Sequence, residues 1–531
     1  MEKGTAQSLR LFNLLEDPIF RVQTREGRRR LSLPGVFEAL GRDEIEHFLG
    51  LQKHQEDPFH VFLSYLGAAV LARNGEEDPV RPADYWRDKL RALAGPAGDD
   101  AWTLVVEEML QPAFMQPPLP HADHARLKPT AYTPDELDLL PTAKNHDLKK
   151  ARASSAEVDG WVYALISLQT MSGYYGRGNR GISRMNSGYG NRPIAEVVRS
   201  FRPGRRWQDA VERLLLHRRE VLRRPFGYDP HQGLVLVWTE VWDGKTSLPL
   251  RRLDPFYLEI CRRIRLRSDG TSIVQADSLS ADNDRIAAKD LKGVVGDAWL
   301  PVVMPKDAKD EPKAYTVPPE GISVDTLRRL IFEEGFELGA LQKPLDRWQG
   351  DVYFSISVLV RGEGKTNGFY HQIVTIPERA RPRLWKRQEQ RETFAKLSKQ
   401  AVERAGEVEH RILKPAVYAL LGTLERSGRE NVTFKTWWER AAREYTAAWE
   451  DAFFPWLWSV PEDATRDEAL QEWTRKLYSV ALEVLRETER RLPSKEGRRY
   501  QTVAAAERIF LGAFYNRFSE LFQPRKEEVL P

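Results

Sequence analysis

Cysteine is almost missing from this chain: Cys261 stands alone among 531 residues. One thiol excludes an intrachain disulfide framework and a cysteine-rich zinc site. Long apolar runs are missing too. No stretch reaches the roughly 18 residues that span a bilayer. The start, MEKGTAQSLRLFNLL, has neither the apolar stretch nor the cleavage site of a signal peptide. The expectation is a cytoplasmic protein with no membrane segment. Net charge is nearly absent at +4, so local clusters carry any argument about polyanions. Metal-binding patterns are also lacking. His121-Ala-Asp123-His124 comes nearest, but no further set of ligands accompanies it, and it reads as loop histidines. No metal or cofactor is expected.

Against these absences stands one dense stretch, Gly173 to Pro193, GYYGRGNRGISRMNSGYGNRP. Glycines 173, 176, 178, 181, 188 and 190 free the backbone for positive φ and close approach to a ligand. Arg177, Arg180, Arg184 and Arg192 bring cations, Asn179, Asn186 and Asn191 bring amides, and three tyrosines bring flat faces. No acid interrupts the run. The combination suits a nucleic acid; the plainer reading is a surface loop of turn formers. Gly176-Arg-Gly178-Asn-Arg-Gly181 also matches the dinucleotide fingerprint. That motif needs a strand before it, whereas Ala156–Met171 reads as a helix.

The rest of the chain divides in two. The first part mixes helices and strands. Val36–Leu51, Pro58–Ala72, Pro82–Leu93 and Ala101–Leu110 carry helical spacing, and Leu234–Trp242 reads as a strand. Arg199–Arg224 is rich in arginine. In the strand ending at Arg267, Arg263, Arg265 and Arg267 alternate with Ile264 and Leu266. Such a strand offers either a row of cations above an apolar face or a charged, solvated edge. Val352–Val360 and Phe369–Ile376 form a β-hairpin whose turn is Arg361–Gly368. Gly364-Lys365-Thr366 imitates the end of a phosphate-binding loop, but Leu359 stands where the motif needs glycine and a strand follows. After Pro377 four long amphipathic segments predict a helix bundle, with a kink at Pro415 and a helix ended by Pro455. Fifteen tryptophans point to buried aromatic clusters or interfaces. The fold class is α+β: a mixed α/β N-terminal domain over 1–378 and a four-helix bundle over 379–531.

The order and spacing of FNLLEDPIFRV, FMQP, LPTAKNHD, the glycine segment, LDPFYLEICRRIRL, RGEGKTNGFYH and the four C-terminal helices resembles CasA, the family of large subunits of the type I-E CRISPR Cascade complex. The resemblance spans nearly the whole chain. It implies a non-catalytic subunit with guide RNA, other Cascade subunits, double-stranded target DNA and a helicase-nuclease as partners. Such a subunit recognises the protospacer-adjacent motif (PAM) in the duplex and starts strand separation. By resemblance the PAM-contacting glycine loop is Gly173, Gly176, Gly178 and Asn179. The wedge at the hairpin tip is Lys365, Thr366 and Asn367. Lys245, after the Asp243-Gly244 turn, is the candidate for a contacting lysine; Arg177, Arg180 and Arg184 are further possible DNA contacts. The loop that meets the complex and the guide end is Leu140–Asp147, with Leu140, Thr142, Lys144, Asn145 and His146. Some relatives carry a cysteine cluster that this chain lacks, and the wedge is Lys-Thr-Asn where some members have two amides.

A second reading is a metal-dependent nuclease acting on DNA or RNA, with Asp282-Asn283-Asp284 as its candidate metal loop. A third is a pure scaffold held by the bundle.

Overall fold

The computed structural model describes residues 9–138, 157–174, 176, 178–185, 191–307, 309–362, 365–422, 432–492 and 499–522. Two compact units emerge. One contains residues 1–322 and 335–374, the other 323–334 and 375–531. Among the described residues no helix is long and apolar enough to cross a membrane.

The first unit is mixed α/β. Its N-terminal elements are β1 (Arg10–Asn13), β2 (Phe20–Thr24), β3 (Gly27–Leu31), α1 (Leu33–Gly41) and β4 (Ile45–Phe48), with β2 central in an antiparallel β3-β2-β4 sheet. The helical spacing expected over Val36–Leu51 therefore holds only to Gly41. Next come α2 (Glu56–Arg73), α3 (Ala83–Leu93) and β5 (Thr103–Val106). The helix expected over Ala101–Leu110 is not formed. Thr103–Val106 is buried throughout and pairs with β1, and a short apolar run buried on both faces does not reveal its period.

Helix α2 is buried on every side from Asp57 to Leu71, as a central helix should be. Strand β6 (Lys128–Ala131) and helix α4 (Val158–Met171) follow, then β7 (Ile194–Val198) and α5 (Pro203–Arg223). Helix α5 crosses α2 where Gly67 makes room: a Cβ there would lie 2.9 Å from the Trp207 ring. Trp207 Nε1 donates to the Leu63 carbonyl at 3.1 Å. The expected strand at Leu234–Trp242 stops at Leu236, because the chain turns to bury Trp238 against Phe114 and give its N–H to Ala101 O. Strands β8 (Arg263–Ser268) and β9 (Ile273–Leu279) form a sheet in the order β8-β9-β6.

Arginines in this unit point inward. Arg213, Arg263 and Arg265 are among the largest fully buried side chains. Arg265 Nη2 gives hydrogen bonds to the carbonyls of Met109, Gln111 and Pro117, and burial lowers its pKa to about 9. Arg263 pairs with Asp123 in the short His121–His124 helix. Neither reading of the alternating strand survives: two of its cations brace the proline-rich segment from inside.

Helix α6 (Val324–Ile331) belongs to the second unit, although the hairpin strands β10 (Val352–Gly362) and β11 (Lys365–Ile376) come between it and the bundle in sequence. The bundle consists of α7 (Gln388–Glu407) continuing into α8 (Lys414–Leu420), then α9 (Val432–Ser459), α10 (Arg466–Arg491) and α11 (Arg499–Arg517). Trp456 stacks on Trp473, with ring centroids 4.6 Å apart. Trp473 Nε1 donates to Ala401 O at 2.8 Å. Pro415 has no N–H for the preceding turn, and a π-helical turn over Val408–Leu413 absorbs the mismatch. Pro455 does not end its helix. It is exposed inside α9, while Phe453, Phe454, Trp456 and Leu457 are buried around it. Their burial outweighs the roughly 3 kcal/mol cost of an internal proline.

The link between α6 and the bundle gives a stability test. Phe332 packs edge-on against Phe394, ring centroids 5.7 Å apart, and Arg391 pairs with Glu333 at 2.8 Å. A fragment covering 379–531 loses both contacts. It is expected to unfold cooperatively in circular dichroism, but several degrees below the bundle transition of the whole chain. Equal melting temperatures would show that α6 contributes nothing.

Candidate nucleic-acid interface

Helix α4 ends at Met171, and the chain enters the glycine segment in extended conformation at Ser172. Ser172 O accepts from Ile182 N at 3.1 Å, closing the base of a loop. Inside it Gly176 O accepts from Asn179 N at 3.0 Å. Gly176 and Gly178 have φ of 122° and 82°, where glycine is favoured. The two glycines differ in what they face. A Cβ on Gly176 would meet nothing within 4 Å, whereas one on Gly178 would lie 2.6 Å from Ser280 Cβ. Gly178 is thus a packing glycine, and Gly176 is the open one.

Buried Arg262 holds the loop from beneath. Its Nη2 donates to Gly173 O at 3.0 Å, and its Nη1 donates to the carbonyls of Arg180 and Cys261. Helix α4 supplies a second brace. Gln169 accepts from the N–H groups of Cys261 and Arg262 and donates to Met115 O and Arg262 O. Neither bracing role is legible in the sequence, since a buried arginine and a buried glutamine look like any polar residue until their partners are known.

The loop after β9 joins the glycine turn to Lys245. Ala281 N donates to Gly178 O at 2.9 Å, and Arg180 Nη2 donates to Asp282 O at 2.8 Å. On its other side Asp282 N and Asn283 N donate to Gly244 O at 2.7 and 3.0 Å, and Asn283 Nδ2 donates to Lys245 O at 2.6 Å. The Lys245 turn is itself closed by Asp243, whose Oδ1 accepts from Lys245 N and Thr246 N. Those backbone N–H groups hold the Asp243 carboxyl below its ordinary range. Lys245 is exposed and makes no ion pair among the described residues. Three loops distant in sequence, the glycine turn, the loop after β9 and the Lys245 turn, are thus tied together by hydrogen bonds.

The same segment leads to the hairpin. Arg192, buried, donates to Thr170 O at 3.1 Å and pairs with Asp297. Two residues later β7 begins, and it pairs antiparallel with β10 from Ile194 opposite Ser357 to Val198 opposite Tyr353. The hairpin sheet has the order β11-β10-β7. Its turn is shorter than the sequence suggests: strand structure runs through Gly362 and resumes at Lys365. Lys365, Thr366 and Asn367 therefore stand at the start of the return strand. Their side chains, with Arg177 and the loop residues Leu140, Thr142, Lys144, Asn145 and His146, lie outside the described ones.

No family model and no curated protein matches the sequence. Solved structures do match. Thermus thermophilus CasA (Cse1) aligns with a TM-score of 0.62 at 18% identity, covering 96% of this chain and 100% of that one. Cse1 from Acidimicrobium ferrooxidans aligns at 0.62 and 15% identity, covering 98% and 100%. A chain titled as a CRISPR RNA-guided surveillance complex aligns at 0.56 and 14% identity, covering 96% and 100%. The fold is that of CasA (Cse1).

On this CasA fold one expectation about the site needs correcting and one alternative gains no support. Arg184 is not available to DNA. It is 3% exposed, stacks over the Tyr257 ring at 4.2 Å and donates to Tyr257 O at 3.0 Å. Asp282 and Asp284 are not joined by a third histidine, cysteine or acidic side chain among the described residues. Among the described residues no group of three or more His, Cys, Asp or Glu side chains is placed to hold an ion. The backbones of Asp282 and Asn283 serve instead as the bridge between the glycine turn and Lys245.

Under the loop, Glu259 accepts from Ser183 N and, at 2.9 Å, from Ser183 Oγ. Burial pushes its carboxyl up to about 7, against the opposing pull of Arg184. A raised folded-state pKa stabilises the fold fully below the ordinary carboxyl value, and that contribution is lost as pH rises through about 7. Denaturant unfolding is therefore expected to show a stability loss on the order of 2 kcal/mol between pH 5 and pH 8. Glu259→Gln should flatten this slope. An unchanged slope in the variant would assign the pH dependence elsewhere.

Proposed function

We propose that this chain is the non-catalytic large subunit of an RNA-guided CRISPR surveillance complex in the cytoplasm. It associates with guide RNA and the other Cascade subunits. It recognises the PAM in duplex DNA, helps to start strand separation and R-loop formation, and recruits the helicase-nuclease. The observation that carries the reading is the bridge from Gly178 through Ala281 and Asn283 to Lys245. It supports a compact reader: an open glycine backbone that can enter a minor groove, beside one cation that can meet a phosphate or a base edge. A guide-dependent complex leaves sequence to base pairing, so a reader of one short motif suffices. The hairpin, stiffened by β7, supports the strand-separating role. Residues Gly173, Gly176, Asn179, Arg180 and Lys245 form the proposed DNA contact, with Gly178 setting the shape of the turn.

The test is duplex capture by the complex assembled with guide RNA and partner subunits. Gly176→Asp adds a carboxylate beside the proposed phosphates, read against Gly176→Ala because any side chain at this positive φ strains the turn, and Lys245→Glu reverses the free cation. Each is expected to weaken capture at fixed salt by about tenfold, close to 1.4 kcal/mol, with guide binding intact. Gly178→Asp is the unsuitable probe, since its side chain collides with Ser280 and would disturb the loop itself. Unaltered capture by both Gly176→Asp and Lys245→Glu would remove the site.

A further inference from the structure

We propose that the cavity lined by α1, β4, α2, the start of α5 and β11 is a binding site for a small organic cation, a protonated amine on an apolar body. It lies on elements other than the glycine turn and does not depend on that site's reading. Its volume is about 430 Å³. That is within the range of small-molecule sites and more than one lysine or arginine side chain fills. Leu40, Phe48, Leu51, Phe59, Leu63 and Trp207 supply apolar walls. Phe201 and Ile373, 41% and 46% exposed, also line it and stand at its mouth. Exposed apolar side chains scattered singly need no explanation, but two that meet at one concavity from distant parts of the chain mark a place where a ligand covers them.

Beneath the apolar walls the polar groups are tied to one another. Arg206 gives hydrogen bonds to Glu196 through Nε and to Asp57 through Nη2, the second at 2.6 Å. Asp57 also accepts from Ser357 Oγ, and Trp299 Nε1 donates to Glu196 at 3.3 Å. Against the upward push of burial, Arg206 holds both carboxyls below their ordinary range, so two ionised groups share one guanidinium. Two of the lining histidines do not supply the missing charge. Burial, and after it Arg206, lowers His60; burial lowers His371, whose Nε2 lies 2.9 Å from Ser355 Oγ. The third, His47, is exposed. Lys53 is taken up by Glu56 at 2.6 Å, and Glu46 has no ion pair among the described residues. Four carboxylates, Glu46, Glu56, Asp57 and Glu196, thus stand against two cations, Lys53 and Arg206.

The excess of negative charge decides what the cavity takes. A concave site with apolar walls focuses the field of its charges and concentrates counter-ions. An anion, a phosphate among them, meets repulsion there. A neutral apolar ligand covers the walls but displaces water from Glu46 and leaves it uncompensated. A bare metal ion leaves the walls uncovered, and among the described residues no three His, Cys, Asp or Glu side chains are placed to hold one. An amine on an apolar body meets both demands. Its ammonium compensates Glu46, and its body covers Phe48 and Phe201, whose ring faces themselves attract a cation.

The test titrates the full chain by calorimetry near neutral pH with three probes that share one body and differ in charge: phenylpropylammonium, phenylpropanol and phenylpropionate. The ammonium is expected to bind with a Kd of about 1 mM or tighter, about fivefold more tightly than the alcohol, with the carboxylate weakest. This ranking is read on the parent chain and needs no variant. Glu46→Gln should cut the preference for the ammonium to about twofold or less while the alcohol binds as before. Phe201→Ala should weaken ammonium and alcohol alike, by about threefold. Unfolding curves matching the parent qualify each variant. Equal affinity for ammonium and alcohol, or no binding of the ammonium at about 10 mM, overturns the proposal. So does a preference that survives Glu46→Gln and Phe201→Ala together, since the amine then sits elsewhere on the chain. Tighter binding of an extended peptide carrying one lysine than of the free amine would assign the cavity to a partner protein's side chain and overturn the small-molecule reading.

Discussion

Arg262→Ala is expected to cost the assembled complex most of its duplex capture, although Arg262 is buried and touches no ligand. Its guanidinium is what holds Gly173 O on one side of the glycine loop and Arg180 O on the other. Hydrogen bonds from a charged donor contribute roughly 1.5–3 kcal/mol each, and a buried carbonyl left without a donor costs about 1–3 kcal/mol. Removing the side chain orphans more than one carbonyl, so destabilisation of about 3 kcal/mol is expected, concentrated at the loop. Capture should fall beyond tenfold, since the Gly176 turn no longer has a fixed orientation. Arg180→Ala is the control for stability alone, since Arg180 is itself a proposed DNA contact. Arg180 gives a single bond to Asp282 O at the surface, so stability should hardly change. Denaturant unfolding and duplex binding, measured on both variants, decide the matter. An Arg262→Ala protein with parental stability and parental capture would show that the brace is dispensable.

The second large effect belongs to the hairpin. Replacing Lys365, Thr366 and Asn367 together by alanine should impair duplex opening far more than first contact. Strand β10 is paired on one side with β7 and neighbours β11 on the other, so the turn is carried on a stiff support. Wedging into a base step costs a few kcal/mol of unstacking. Loss of the polar groups that offset this cost should slow R-loop formation on an intact duplex by ten- to a hundredfold, about 1.4–2.7 kcal/mol. A target already mismatched beside the PAM needs no opening and should be bound almost normally. Equal defects on both targets would make the hairpin a docking element instead.

Much of the architecture is legible in the residues alone. Helices α2 and α4, the hairpin strands and the four long C-terminal helices are legible because each is long enough to tell helix from strand. The order of motifs along the chain led to the CasA fold, and the single cysteine excluded a cysteine-based zinc site without any coordinates. Local pattern was least informative where burial is two-sided. Thr103–Val106 and Val237–Thr239 are short apolar runs whose conformation is set by β1 and by the aromatic cluster around Trp238.

What only tertiary structure decided is which polar groups are free. Arg184, Arg192, Arg263 and Arg265 carry the same charge in the sequence as Lys245, and nothing local separates them. The difference comes from partners far along the chain: Tyr257 and Asp297 for Arg184 and Arg192, Asp123 for Arg263, the Met109–Pro117 carbonyls for Arg265. In the same way the Lys245 turn joins the glycine turn through Ala281, Asp282 and Asn283, by backbone hydrogen bonds that most residue types could make together with one from the Asn283 side-chain amide. Backbone groups leave no signature in the sequence, so that convergence could be read only from the fold.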